Sequence, residues 1–401
     1  MRRNCFSWPG CRNQVVPSDR KARWGALTPT VSQTRRHDSR SRDSASPDRA
    51  HNRRPALPDA GRPVNRRQPT VAVIGAGSWG TAVASIVARK SPTVMWARSE
   101  EVVGQINERH VNERYLPDFP LPPTLTATHD LQEAAENTDI TIMAVPSHGF
   151  RATLTELAPF LRPWTPVVSL VKGLEQVTDR RMTEIIDEVL PGHPAGVLAG
   201  PNIAREVVAG YAAAAVIAMP DQHLAAQLRE LFRTRLYRIY SSSDVVGVEI
   251  AGALKNVFAI AVGMGDGVGS GDNTRAAVIT RSLREMSRLG ERLGGERDTF
   301  AGLAGLGDLV VTCTSPHSRN RHVGELLGRG LPIDEILAGM NQVAEGVKAA
   351  SAVMKLAAAA GIEMPIAREV DAVVNHGSTP EQAYRGLINE APGHEVYGDS
   401  W

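Results

Sequence analysis

Residues Val71–Gly80 read VAVIGAGSWG, and this stretch decides the fold. A short β-branched, apolar run breaks into Gly-x-Gly-x-x-Gly, and a helical pattern follows over Thr81–Lys90. Strand, glycine turn and helix come in the order that binds a dinucleotide. Gly75 permits the tight turn. Gly77, without a Cβ, lets the backbone approach a pyrophosphate. Gly80 lets the helix pack closely on the strand. The N–H groups at the start of that helix then face the phosphates.

Working outward, Thr93–Ala97 is predicted as the second strand, whose end belongs beside the adenosine ribose. A site strict for NAD places Asp or Glu there, whereas this chain places Arg98. A guanidinium can grip a 2′-phosphate or stack on adenine, so either NAD or NADP is expected as cofactor. A solvated strand-end arginine is the plainer alternative. Val102–Arg109 and Leu131–Ala135 read as helical, Asp139–Pro146 as a buried strand and Phe150–Leu161 as a helix. Pro166–Val171 and Val197–Gly200 read as further strands. Strands alternating with helices predict an α/β domain, a mostly parallel sheet with helices on both faces. Ligands bind beyond the carboxyl ends of such strands. Arg98, Ser147, Lys172 and Asn202 each follow a strand, so they are expected along one edge.

Beyond about Asp244 the pattern becomes helical, at Val246–Val262, Thr274–Leu293, Ile333–Leu337 and Val347–Ala360. The glycine-rich Gly263–Gly271 reads as a loop between helices. No Gly-Lys-Ser/Thr follows it, which excludes a P-loop. The expected organisation is an Arg-rich extension over 1–68, a Rossmann-like NAD(P)-binding domain over 69–243 and an α-helical substrate and catalytic domain over 244–401.

Of the 401 residues, 42% are hydrophobic, enough for sizeable cores. The formal net charge of +2 conceals an asymmetry. Residues 1–68 hold 15 Arg and 1 Lys against 5 Asp, a balance of +11, and the remainder carries −9. A mildly acidic body argues against nucleic acid as a partner. The extension is poor in aliphatic side chains and reads as disordered. It lacks the apolar core of a secretory signal, and its Asp content argues against a transit peptide. An inessential extension or a start assigned too far upstream is expected, ahead of a basic tail that touches acidic partners. Cys5, Cys11 and Cys313 have neither disulfide nor metal-ligand spacing, which fits a reducing, cytoplasmic setting and no metal. No uninterrupted apolar run reaches 18 residues, so no membrane-spanning helix is expected.

Four places hold candidate chemistry. Lys255 stands in an otherwise apolar helix, with Ala251 at i−4 and Phe258 at i+3. Desolvation would lower its pKa toward neutrality, as a general base requires. Alternatively it snorkels to solvent, or pairs with Glu249 or Asp266. Lys172, between a strand and Gly173, either reaches the cleft or is solvated. Asp308 is a helix cap or a polar hook for a substrate hydroxyl. Ser318-Arg319-Asn320 suits a phosphate, or starts a helix with Ser318 or Asn320 as cap.

Several blocks resemble one family in the same order: GAGSWGTA (75–82), AVPSH (144–148), SLVKGLE (169–175), AGPNIAREV (199–207), VEIAGALKNVFAIAVG (248–263), AGLAGLGDLVVTCTSPHSRN (301–320) and VAEGV (343–347). From about Pro69 to about Leu387 the chain resembles bacterial NAD(P)-dependent glycerol-3-phosphate dehydrogenases. The resemblance implies reversible oxidation of sn-glycerol 3-phosphate to dihydroxyacetone phosphate, which supplies the glycerol backbone of phospholipids, and a homodimer. It implies cofactor contacts from Ser78, Trp79, Arg98, Tyr115, Lys172, Ala204, Arg319, Val343 and Glu345. It also implies substrate contacts from Lys172, Gly200, Asn202, Asp308, Ser318, Arg319 and Asn320, with Lys255 as proton acceptor. The family more often has Ser or Thr where this chain has Asn202. Related two-domain dehydrogenases with a lysine on a helix, of the β-hydroxyacid or 6-phosphogluconate type, lack the Ser-Arg-Asn block and the Asp308 spacing. A redox sensor that binds the cofactor without turnover would not need the lysine or that block.

Overall fold

The computed structural model describes residues 67–340 and 344–389. The expectations for 1–66, including the disorder of the extension, and for Val343 therefore lie outside the described residues. Eight strands form one sheet: β1 (Val71–Ile74), β2 (Thr93–Trp96), β3 (Leu125–Thr128), β4 (Ile140–Met143), β5 (Val167–Ser169), β6 (Ala195–Ala199), β7 (Ala213–Ala218) and β8 (Tyr237–Ser242). Their order is β3-β2-β1-β4-β5-β6-β7-β8. All neighbours are parallel except β6 and β7, which are antiparallel. β1 pairs with β2 on one side and β4 on the other, with Val71 opposite both Thr93 and Ile140. The connections leaving β1 and β4 thus diverge, and a crevice opens above β1 where the strand order reverses.

The sheet is buried on both faces because successive side chains alternate. Val71 and Val73 join one core with Met95, Ile142 and the helix Ser78–Val87. Ala72 and Ile74 join the other with Phe150, Leu154 and Ile185, from the helices Ser147–Leu157 and Met182–Val189. A mostly parallel sheet with helices on both faces is the expected α/β architecture. The strands β3, β7 and β8 carry no clear signal in the sequence. β7 reads AAAVIA, a helix-favouring composition that pairing with β6 and β8 overrides. β8 reads YRIYSS, an alternating edge strand with two tyrosines and an arginine.

In the helical half, Val245–Val268 forms a 24-residue helix, about 36 Å long. The helices Asp272–Arg292, Asp308–Thr314, Arg319–Gly328, Glu345–Ala360 and Pro365–Asn375 pack around it. By length and composition alone it could cross a membrane, although Glu249, Lys255 and Asp266 interrupt its apolar run, as expected from the sequence. It is also 94% buried over that window, as the centre of a helical core. No other described helix meets the criterion.

This helix overturns one expectation, since it runs through most of the supposed Gly263–Gly271 loop. The glycines serve a close helix crossing instead. A Cβ on Gly263 would lie 2.0 Å from the Arg321 carbonyl oxygen, and one on Gly267 would lie 2.3 Å from that of Glu325. From the other side, a Cβ on Gly324 would meet the Ile260 carbonyl oxygen at 2.1 Å, and one on Gly328 that of Met264 at 2.4 Å. Glycines four apart on both helices bring the backbones into contact, which fixes Arg319–Gly328 against the central helix.

The two halves are tied by Glu249, buried on the central helix. Its carboxylate accepts from Thr183 N (3.0 Å), Thr183 Oγ1 (2.5 Å) and Arg181 Nη1 (2.8 Å) at the start of the helix Met182–Val189. Burial pushes the Glu249 carboxyl above its ordinary pKa, opposed by Arg181 and Thr183.

Candidate active site

The glycine turn defines one wall of the site. Gly75 sits at φ +120°, and a Cβ there would lie 2.8 Å from the Ala144 carbonyl carbon. A Cβ on Gly80 would meet the Gly75 carbonyl oxygen at 2.2 Å. Above Gly77 an added Cβ would meet nothing within 4 Å. The helix begins at Ser78 rather than Thr81, so Ser78, Trp79 and Gly80 form its first turn. Gly77 caps it with no side-chain bond, which leaves N-terminal amides for an anion. The open space and the uncapped helix fit a dinucleotide pyrophosphate.

Around this turn, Ser78 Oγ donates to the Tyr115 carbonyl at 2.6 Å. Asn112 Nδ2 donates to the Ala76 carbonyl at 2.9 Å and to Thr81 Oγ1 at 2.8 Å, pinning the loop. Arg98 is exposed, just past the end of β2. Ala204 opens the short helix Ala204–Val208. Glu345 opens Glu345–Ala360 and accepts from Ser147 Oγ at 2.9 Å, across from the end of β4.

The chemically distinctive feature is a cluster of two lysines and one aspartate, with Lys255 and Asp308 buried and Lys172 half-buried. Lys255 Nζ lies 3.0 Å from Asp308 Oδ1, and Lys172 Nζ lies 2.7 Å from Asp308 Oδ2. Lys255 is 5% exposed and Asp308 1%. Lys255 also donates to Thr312 Oγ1 at 2.7 Å, and Thr312 Oγ1 donates in turn to the Asp308 carbonyl at 2.6 Å. Lys172 further donates to the Gly200 carbonyl at 2.8 Å. Burial lowers the Lys255 pKa to about 8; Asp308 opposes that shift and Lys172 adds to it. The partner of Lys255 is thus neither Glu249, which holds Arg181, nor Asp266, which holds Arg275 and Arg321. A π-helical turn, Leu303–Gly307, precedes Asp308–Thr314. Asp308 lies in the first turn of that helix without capping it, and its side chain points to the lysines.

The Ser318-Arg319-Asn320 trio divides its labour. Ser318 caps Arg319–Gly328, accepting from Arg321 N at 3.3 Å. Asn320 donates to Asn256 Oδ1 at 3.0 Å and accepts from Gly346 N at 2.9 Å. Asn256 Nδ2 donates to the Lys172 carbonyl at 2.8 Å. The chain Asn320–Asn256–Lys172 therefore links the helical half to the end of β5. Arg319 is exposed beside it.

Sequence reading assigned no role to Asn256, Thr312 or Tyr237. Asn256 had a signal, as the second polar residue of a Lys-Asn pair in an apolar helix. Thr312, one turn after Asp308, shares its helix face. Tyr237, at the start of an unrecognised edge strand, had none. Among the described residues no group of three His, Cys, Asp or Glu side chains converges as a metal site.

A glycine turn at the switch point of the sheet, together with a desolvated lysine paired with a buried aspartate, defines an NAD(P)-linked oxidoreductase. Family models described as the N-terminus and C-terminus of NAD-dependent glycerol-3-phosphate dehydrogenase match residues 70–225 and 244–385. The chain belongs to the NAD-dependent glycerol-3-phosphate dehydrogenase family. It is 68% identical over 336 residues to glycerol-3-phosphate dehydrogenase (NAD(P)+) of Mycobacterium avium, covering 84% of this chain and 98% of that one. The corresponding Mycobacterium tuberculosis protein is 67% identical over 338 residues, covering 84% and 99%. The crystal structure of glycerol-3-phosphate dehydrogenase from Coxiella burnetii matches with a TM-score of 0.78 at 37% identity, covering 80% of this chain and 99% of that one.

Proposed function

We propose that this chain interconverts sn-glycerol 3-phosphate and dihydroxyacetone phosphate with NAD or NADP, supplying glycerol 3-phosphate for glycerophospholipid synthesis. Family membership supports the reaction. The observation that carries the mechanism is the buried Lys255, paired with Asp308 and poised near pKa 8.

Most cofactor contacts come from 69–243 and the proton transfer from 244–401, while Glu345 and Val343 reach the cofactor, and Lys172, Gly200 and Asn202 the substrate, from the opposite half. Gly75, Gly77, Ser78, Trp79 and Gly80 cradle the pyrophosphate end of the cofactor, and Arg98 meets the adenosine ribose or its 2′-phosphate. Tyr115, Ala204 and Glu345 line the same cleft, with Val343 assigned by resemblance alone. When bound, the nicotinamide exchanges a hydride with carbon 2 of the substrate.

Lys255 takes the proton of the carbon-2 hydroxyl in the oxidative direction and returns it in the reductive one. Its neutral amine donates two N–H bonds, to Asp308 Oδ1 and Thr312 Oγ1, which leaves the lone pair for that proton. Asp308 orients both lysines, and Lys172 adds positive charge where an alkoxide develops. Gly200 and Asn202 line the substrate pocket. Arg319 and Asn320 hold the phosphate, joined by the Ser318 hydroxyl, and Asn320 keeps one N–H beyond the one given to Asn256. A cytoplasmic homodimer completes the proposal, tested by sedimentation of the purified chain.

The direct test follows nicotinamide absorbance with dihydroxyacetone phosphate and NADH or NADPH. The wild type turns over. Lys255→Ala is expected to lose at least about 100-fold in kcat. Near-full activity of that variant removes Lys255 from the mechanism.

A further inference from the structure

Two buried donors near the cleft have no partner among the described protein groups: Asn202 Nδ2 and Trp79 Nε1. Both adjoin Tyr237. The Tyr237 hydroxyl donates to Asn202 Oδ1 at 3.1 Å, and its ring meets Trp79 edge-on, 6.4 Å between centroids at 89°. We infer that Tyr237 is a positioning residue for Asn202: it holds the amide oxygen, so that the amide nitrogen faces the substrate and donates to one of its oxygens. The inference rests on the substrate reading above.

Tyr237 is 2% exposed at the start of β8. Burial, with Asp308 adding to it, pushes its pKa far above the ordinary phenol value, so the hydroxyl keeps its proton. Among the described residues that proton has one acceptor, Asn202 Oδ1. The opposite amide orientation would face N–H against a hydroxyl and leave the phenol proton without an acceptor among the described residues. The orientation is therefore fixed by the network. A buried N–H without an acceptor is costly, and the cost is relieved when a ligand oxygen arrives.

Two further observations place this donor at the reacting end of the cleft. Asn202 lies two residues beyond Gly200, whose carbonyl receives Lys172 Nζ. Pro201, the residue before Asn202, packs against Gly307, the residue before Asp308: a Cβ built on Gly307 would lie 3.7 Å from the proline ring. A Ser or Thr at position 202 would rotate its own hydroxyl to suit a substrate oxygen. An amide, with different atoms at its two ends, needs a second residue to set it.

Tyr237→Phe keeps the ring and its contact with Trp79 but deletes the proton. Steady-state kinetics with dihydroxyacetone phosphate and NADPH are expected to show a KM raised by about 3- to 10-fold. The change in kcat is expected to be smaller, with NADPH affinity by fluorescence titration unchanged. In an Asn202→Thr background the same substitution is expected to change KM by less than about twofold, because threonine orients itself. A second variant, Asn202→Asp, keeps an acceptor for Tyr237 but removes the donor, and its KM is expected to rise more than about tenfold.

A Tyr237→Phe enzyme with wild-type KM overturns the inference, as does an equal effect in the threonine background. Normal substrate affinity of Asn202→Asp overturns it as well, and remains decisive should Tyr237→Phe fail to fold. A wild type that binds NADPH yet leaves dihydroxyacetone phosphate unreduced refutes the substrate reading itself, and the inference with it.

Discussion

Lys255 Nζ and Asp308 Oδ1 lie 3.0 Å apart inside the protein, while the other oxygen of the same carboxylate holds Lys172 at 2.7 Å. One anion thus serves two cations. Burial favours the neutral form of Lys255, and Asp308 keeps that shift from going further. The result is an amine that changes protonation in the range where an acid–base catalyst works in both directions.

The pH profile should report this balance. Oxidation of glycerol 3-phosphate needs neutral Lys255, so its kcat/KM is expected to rise with pH and level off above about 8. Reduction needs the ammonium and is expected to fall above the same point. Asp308→Asn removes the influence that raises the Lys255 pKa, so the inflection should move to lower pH, by about one unit or more. Profiles measured in both directions on wild type and variant check the sign. An inflection that does not move would separate Asp308 from the titration of Lys255.

The same lysine makes stability pH-dependent. Its folded pKa lies below the ordinary value of 10.5, so the unfolded chain holds an extra proton between about 8 and 10.5. The contribution of Lys255 to unfolding free energy should therefore rise across that window and be flat below it. Urea unfolding of wild type and Lys255→Met at pH 7.5 and 9.5 isolates this contribution. The wild type is expected to gain relative to the variant at the higher pH.

Alanine normally strengthens a helix relative to glycine by about 1 kcal/mol. At Gly324 the sign should reverse, because the new methyl would sit 2.1 Å from the Ile260 carbonyl oxygen and force the two helices apart. A loss of about 2 kcal/mol or more is expected in urea unfolding. Gly104, inside the helix Glu100–Arg109 with nothing within 4 Å of an added Cβ, is the control. Gly104→Ala should gain about 0.5–1 kcal/mol.

Arg98 provides the test of cofactor choice. It is exposed just past β2, where it can reach a 2′-phosphate. Arg98→Ala is expected to raise the KM for NADPH by about tenfold and that for NADH by less than about threefold. Equal effects on both would assign Arg98 to adenine stacking rather than to the phosphate.

Glu249 carries the tie between the two halves. Glu249→Ala leaves the Thr183 N–H and hydroxyl without their acceptor and takes from Arg181 the buried one of its two carboxylate partners, the other being Glu184 at 3.2 Å. A loss of about 3 kcal/mol is expected in chemical denaturation. Glu249→Gln, which keeps an acceptor, should lose less.

How much of this was legible in the chain varies by residue. The glycine turn was readable because its strand, turn and helix are neighbours in sequence. Lys255 stood out because a charged residue inside an apolar helix breaks a local pattern. Gly263–Gly271 misled, because glycines that permit a helix crossing look the same in sequence as glycines that form a loop. β7 and β8 escaped because their strand character comes from pairing with each other and with β6, not from composition.

The sequence by itself determined the α/β half, the helical half and the dinucleotide turn, since periodicity and glycine placement are local properties of the chain. Only the tertiary structure decided which carboxylate meets Lys255, which helix lies against Gly263 and which phenol holds Asn202. Those pairings join residues far apart in the chain. Close packing and the need to satisfy every buried charge and amide select them, and neither constraint can be evaluated until the elements are folded against one another.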